Sequence, residues 1–163
     1  MHENSEGDTM QTDKLHAVID TNVLFQGITT QAGAPGSIIQ AWQRGAFVPL
    51  ATNALCYEYE SVLQRKLSPE RWLVVSTILD DLFDQVRFVP IEYTWRPVST
   101  DPGDDHLIDC AISGKGMIVT WNQKDLRIAR DLFGVPVLTP DMFLLRLIEH
   151  HERQSRRGKN DQP

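Results

Sequence analysis

Short apolar runs alternate along this chain with longer stretches in which apolar residues recur every three or four positions. The first pattern reads as buried strand and the second as amphipathic helix. Strands are expected at residues 15–19, 47–50, 86–89, 117–120 and 135–138. Helices are expected over 38–43, from a Thr52 or Asn53 cap to about residue 67, and from Ser68-Pro69 to about residue 85. Further helices are expected over 104–113, from near Lys124, and from Thr139-Pro140 to near His150. Ser at the cap followed by Pro at the first helical position is a start signal, and Gly114 reads as a stop. Residues 91–103, with Pro97, Pro102 and Gly103, read as a loop. Alternating strand and helix implies an α/β fold: a central, mostly parallel sheet of four to five strands, covered by helices on both faces.

At 163 residues the chain is long enough for one domain with a single core. Residues 14–150 carry the periodic pattern. Residues 1–13 are polar and acidic, with no apolar stretch of the secretory kind, and read as a disordered leader. No apolar run approaches the roughly 18 residues needed to cross a bilayer, so no membrane association is expected and a cytoplasmic location is. Cys56 and Cys110 each lie in a helical pattern among apolar neighbours and read as small buried side chains, neither a metal motif nor a disulfide.

The formal charge is −6, which argues against a generic nucleic-acid binder unless several acids are neutralised together at a metal site. The basic residues concentrate in the tail, residues 151–163, at Arg153, Arg156, Arg157 and Lys159. That tail reads as a flexible, solvated terminus, or else as an arm that touches phosphates or a partner.

Four segments place acids or amides at element boundaries. In Ala17-Val18-Ile19-Asp20-Thr21-Asn22 an apolar run ends abruptly in a carboxylate, a hydroxyl and an amide. Ligands of open α/β sheets gather at such carboxyl ends. Glu58 and Glu60 flank the Leu55, Tyr59, Val62, Leu63 stripe on opposite edges, so periodicity does not choose between them. In Asp101-Pro102-Gly103-Asp104-Asp105, Asp104 lies on the centreline of the Leu107, Ile108, Ala111, Ile112 stripe; Asp105 and Asp109 lie to one side, and His106 points away. In Thr120-Trp121-Asn122-Gln123-Lys124-Asp125, polar groups again follow a strand end, and Asp125 is either a ligand or the first charge of the next helix. Carboxylates gathered at one sheet edge suit a hard cation such as Mg²⁺ or Mn²⁺.

Taken in order, Val18-Ile19-Asp20-Thr21-Asn22-Val23-Leu24, Glu58-Tyr59-Glu60-Ser61-Val62-Leu63, Asp101-Pro102-Gly103-Asp104-Asp105 and Val119-Thr120-Trp121-Asn122-Gln123-Lys124-Asp125 resemble the motifs of PIN domains. The resemblance is to the group related to the toxins of VapBC-type toxin–antitoxin pairs, and it spans about residues 15–145. It implies a three-layer α/β/α sandwich and metal-dependent cleavage of RNA. By this resemblance Asp20, Glu58 and Asp104 are the metal-binding acids, and with Asn122 and Asp125 they make up the catalytic set. Asn122 stands where the family usually has an acid, with Asp125 close behind. Asn122, Asp125 and Thr21, with Asn22, Asp105 and Thr120, would orient water or support the ligands. The implied partners are RNA as substrate, with an antitoxin protein and a second copy of the chain as candidates.

Other chemistries fit less well. A phosphatase of the haloacid-dehalogenase kind usually carries a second acid two residues after the strand-end Asp, and that position here is Asn22. No glycine-rich turn follows the first strand and no Walker A lysine is present, which leaves dinucleotide binding and nucleotide kinase chemistry without support. A PIN module of weak activity that binds RNA or a protein partner is the alternative that the amide at Asn122 keeps open.

Overall fold

The computed structural model describes residues 13–91 and 102–160, with side chains in the second stretch described from His106 onward. The expected leader, residues 1–12 of it, and most of the expected loop lie outside the described residues.

Five strands form one sheet: β1 (His16–Ile19), β2 (Val48–Ala51), β3 (Arg87–Phe88), β4 (Met117–Val119) and β5 (Val137–Leu138). Their order is β3-β2-β1-β4-β5, and every pair is parallel. β1 and β4 are neighbours in the register Ala17–Met117, Val18–Ile118 and Ile19–Val119. β4 is buried along its length and β1 from Ala17 onward, which is why both read as apolar runs. The chain winds outward one way from β1 through β3 and the other way from β4 to β5. Right-handed crossovers then put their helices on opposite faces, giving the expected three layers.

Seven helices are described: α1 (Thr21–Thr30), α2 (Gly33–Gln43), α3 (Asn53–Lys66), α4 (Pro69–Phe83), α5 (Pro102–Gly114), α6 (Arg127–Phe133) and α7 (Pro140–Asn160). The expected caps form: Thr52 Oγ1 accepts from the Leu55 N–H at 3.1 Å, and Ser68 Oγ from the Arg71 N–H at 3.3 Å.

Four elements differ from the sequence pattern. α2 begins at Gly33 and not at residue 38: the Gly33-Ala34-Pro35-Gly36-Ser37 segment, which reads as a break, forms its first turns, with Pro35 where a helix start tolerates proline. α1 starts directly after β1, although Thr21, Asn22, Gly27, Thr29 and Thr30 are weak helix formers. Packing decides here: a Cβ on Gly27 would sit 2.5 Å from the Pro35 carbonyl oxygen, so glycine lets α1 and α2 touch backbone to backbone. α5 does not stop on a left-handed glycine. Lys115 takes φ 54°, and the Gly116 N–H bonds the Ala111 carbonyl at 2.9 Å. Gly114 is needed for space, since its Cβ would meet Leu50 Cδ1 at 2.7 Å. α7 runs ten residues past its expected end at His150, through the whole basic tail as far as Asn160. Those residues carry no apolar periodicity to announce a helix, yet the Glu, Arg and Gln among them are good helix formers.

Candidate active site

In the order β3-β2-β1-β4-β5 the winding direction reverses between β1 and β4. The crevice outside the carboxyl ends of the two strands at such a reversal is the general ligand site of open α/β sheets. Asp20 follows β1 at that point, and Thr120 follows β4.

Asp20 is part-buried and begins α1, yet it makes no capping bond to that helix. Its Oδ2 instead accepts from Thr120 Oγ1 at 2.7 Å. Thr120 is fully buried, and its hydroxyl oxygen in turn accepts the Asn122 backbone N–H at 3.0 Å. Burial pushes the Asp20 carboxyl above the usual range. The Thr120 hydroxyl and the peptide N–H groups of Thr21 and Asn22 oppose that shift, and the charge of Glu58 adds to it.

α3 holds the residues on either side of Asp20. Tyr59, wholly buried, donates its hydroxyl to the Ile19 carbonyl. Thr21 donates its hydroxyl to Glu58 Oε2 at 2.5 Å. Both glutamates are exposed, but Glu58 is thereby brought to Asp20, while Glu60 has no described contact to the site. Tyr59 escaped the sequence reading. It sat in the apolar stripe, and a buried tyrosine signals that it has a hydroxyl partner without saying which.

Asn122 is exposed, and its Nδ2 donates to Asp125 Oδ2 at 2.7 Å. The pair joins the site through the backbone bond of Asn122 to Thr120, not through a direct contact with Asp20. Asn22 is exposed on the first turn of α1. The side chains of Asp104 and Asp105 lie outside the described residues. Their backbone is in the first turn of α5, which packs on β1, β2 and β4 and touches α3. α5 leads into β4 through the tight turn at Lys115, so it runs against the strands and starts toward their carboxyl edge.

One neighbour of the site reads differently in the structure. Asp109 is 3% exposed, not turned to one side, because α5 is covered both by the sheet and by α3 and buries a wider arc than its apolar stripe. His106 is exposed, as its helical angle implied. Cys56 and Cys110 are buried free thiols, lifted by burial to about 11 and about 12.

The described donors are hard oxygens: two carboxylates joined through one threonine, with a second threonine hydroxyl on Asp20. Such a set fits a hard divalent cation, whose charge would offset the burial that raises Asp20 and the lesser repulsion from Glu58. Among the described residues no three His, Cys, Asp or Glu side chains gather as a complete cage.

The sequence matches the family model for the PIN domain over residues 16–124. The chain belongs to the PIN domain family. That match contains Asp20, Glu58, Asp104, Thr120 and Asn122 and ends just short of Asp125. PIN domains are generally nucleases and typically use divalent metal ions. None of the curated proteins compared with this PIN domain matches it. Among solved structures, a chain in the structure of VapBC2 from Rickettsia felis bound to a DNA fragment from their promoter aligns with a TM-score of 0.56 at 11% identity. The alignment covers 77% of this chain and 98% of that one. PAE2754 from Pyrobaculum aerophilum aligns with a TM-score of 0.55 at 16% identity, over 83% of this chain and 90% of that one. At these identities the likeness is one of fold. Among the described residues, no helix is long and apolar enough to cross a membrane.

Proposed function

We propose that this PIN domain is a metal-dependent endoribonuclease that hydrolyses RNA phosphodiester bonds. One observation carries the reading: Asp20, at the switch point of the sheet, is seated by Thr120 and joined to Glu58 through Thr21. Asp20, Glu58 and Asp104 would hold Mg²⁺ or Mn²⁺. When bound, such an ion supplies the positive charge that draws a phosphate oxygen and lowers the pKa of water.

The chain's own residues set up the rest. Thr120 fixes the rotamer of Asp20, and Tyr59 fixes the backbone carbonyl just before it. Thr21 holds Glu58 on the same side. The Asn122–Asp125 pair, tied to Thr120, stands ready to orient water. In the reaction a water oxygen attacks phosphorus and one P–O ester bond breaks. The products are a phosphate monoester and a free hydroxyl, and no histidine is required as base.

The biological setting we propose is the toxin of a type II pair, with RNA as substrate in the cytoplasm. An antitoxin protein and a second copy of the chain are the candidate partners. The likeness of fold to VapBC2 supports that setting. A second reading, a PIN module of weak activity that binds RNA or a protein, is favoured by the Asn122 amide at a usually acidic position, engaged with Asp125. Cleavage of a pooled RNA with and without Mn²⁺, run beside Asp20→Asn, separates the two. The nuclease reading expects metal-dependent cleavage that EDTA and Asp20→Asn abolish. Wild type without cleavage under any metal, or cleavage that survives Asp20→Asn, overturns it.

A further inference from the structure

α7, at 21 residues, continues well past the residues it buries. Its first half buries Phe143 and Leu147. Beyond Leu147, the helix stays almost wholly exposed as far as Asn160. Leu147, His151 and Gln154 share an 870 Å³ cavity with Lys14, which precedes β1, and Ala46, which precedes β2. The second half of α7 therefore stands at the amino edge of the sheet, opposite Asp20.

This overhang has no apolar face of its own, so neither a membrane nor a hydrophobic groove explains it. Its charge is ordered. The acids Glu149 and Glu152 come first, and Arg153, Arg156, Arg157 and Lys159 follow without another acid among them. At about 100° per residue the three arginines fall within about 100° of arc. Leu147 and His151, which line the cavity, lie on the opposite side, so the arginines face away from the body. Within the described residues, none of these four cations has an ion pair or side-chain hydrogen bond. The chain's other 12 cations stand against 22 acids. A polyanion thus meets a repulsive body and one concentrated attractive surface. Arginine forks suit phosphate oxygens.

We infer that the overhanging end of α7 is an RNA-anchoring arm, in which Arg153, Arg156 and Arg157 grip the phosphate backbone of the substrate at the edge opposite the carboxylates. The assignment rests on the nuclease reading for its choice of polyanion. Arg153 lies about 20 Å along α7 from the start of that helix, so the arm engages long or folded RNA and not the scissile bond itself.

The test measures binding in EDTA with the Asp20→Asn protein, so that cleavage plays no part. Fluorescence anisotropy with a labelled RNA of about 30 nucleotides is recorded across a salt series for three full-length proteins. These are the parent, Arg153→Gln/Arg156→Gln/Arg157→Gln, and the control Arg65→Gln/Arg87→Gln/Lys115→Gln, which removes the same charge elsewhere. The arm variant is expected to bind about 10-fold more weakly at low salt. Its slope of log K against log salt should be shallower by about 2, the counterions of three single-strand contacts. The control should keep the parent slope, and circular dichroism should show equal helix in all three. Equal loss in the control, or no loss in the arm variant, overturns the assignment; so does polyglutamate of matched charge that binds the parent as tightly as RNA. Shallower slope without any cleavage by wild type would sink the nuclease reading alone, and cleavage with an unchanged slope would sink the arm alone.

Discussion

Thr120 donates its hydroxyl to Oδ2 of Asp20 at 2.7 Å, from the end of β4 to the end of β1. The bond favours the ionised carboxylate in a place where burial works against it. Thr120→Val therefore should push the Asp20 pKa further up, cost about 1–2 kcal/mol of stability, and lower RNA cleavage by about 10–100-fold. Thr120→Ser should restore all three. NMR titration of the Asp20 carboxyl and thermal melts check this, and an unmoved titration in the valine variant would contradict it.

The raised pKa of Asp20 has a definite sign in stability. The native state holds the proton more tightly than the unfolded chain, whose value is 3.8. This carboxyl's contribution is thus most favourable below pH 3.8 and is lost as pH rises through its folded value. Without metal at neutral pH, Asp20→Asn should melt higher than wild type. Mg²⁺ or Mn²⁺ should raise the melting temperature of wild type and leave the variant nearly unmoved. An equal metal-induced rise in both would place the ion elsewhere.

Asn122→Asp replaces the amide that donates to Asp125 with a second carboxylate. Without metal the two acids repel, one titrates upward, and the melting temperature falls. With Mn²⁺ the variant should bind metal more tightly than wild type and cleave RNA at least as fast. Calorimetric titration with Mn²⁺ reads this directly, and unchanged affinity would mean that position 122 stands outside the metal site.

The acids should separate by role. Asp20→Asn and Asp104→Asn should remove cleavage, and Glu60→Gln should leave it unchanged because the Thr21 hydroxyl engages Glu58 and Glu60 has no described contact with the site. Asp109→Asn, which the helical stripe alone would mark as neutral, should lower the melting temperature because the group is buried and has interactions of its own. Parallel melts and cleavage assays distinguish a lost fold from a lost site.

Cys56 and Cys110, held at about 11 and about 12, should resist alkylation of the native protein at pH 8 and react fully after denaturation. Their stabilisation is complete below the unfolded value of 9.0 and is lost as pH rises through the folded values. Melting temperature should therefore fall above about pH 9, and less steeply in Cys110→Ala. Rapid labelling of the folded chain at pH 8 would refute the burial of both thiols.

Much of this site was legible in residue order because strands buried on both faces must be apolar to their last residue. Asp20 and Thr120 stand out for ending such runs. Glu58 was not separable from Glu60 by periodicity, since both flank one stripe, and only the hydroxyl of Thr21 tells them apart. α1 was hidden because its formation depends on close packing through Gly27 and not on helix propensity. Asp109 misled because a helix packed on two sides buries more than its apolar stripe. The far half of α7 was unreadable for the opposite reason: nothing apolar marks a helix that touches almost nothing.

The Thr120–Asp20 bond joins residues 100 positions apart. Parallel pairing across such a span forms only when both strands exist. During synthesis the chain up to Lys66 can lay down β1, β2 and α3, with Asp20 and Glu58 already made, but without the hydroxyl that seats the carboxylate. On the proposed nuclease reading, a growing chain would hold no finished site until its second central strand has formed beside the first.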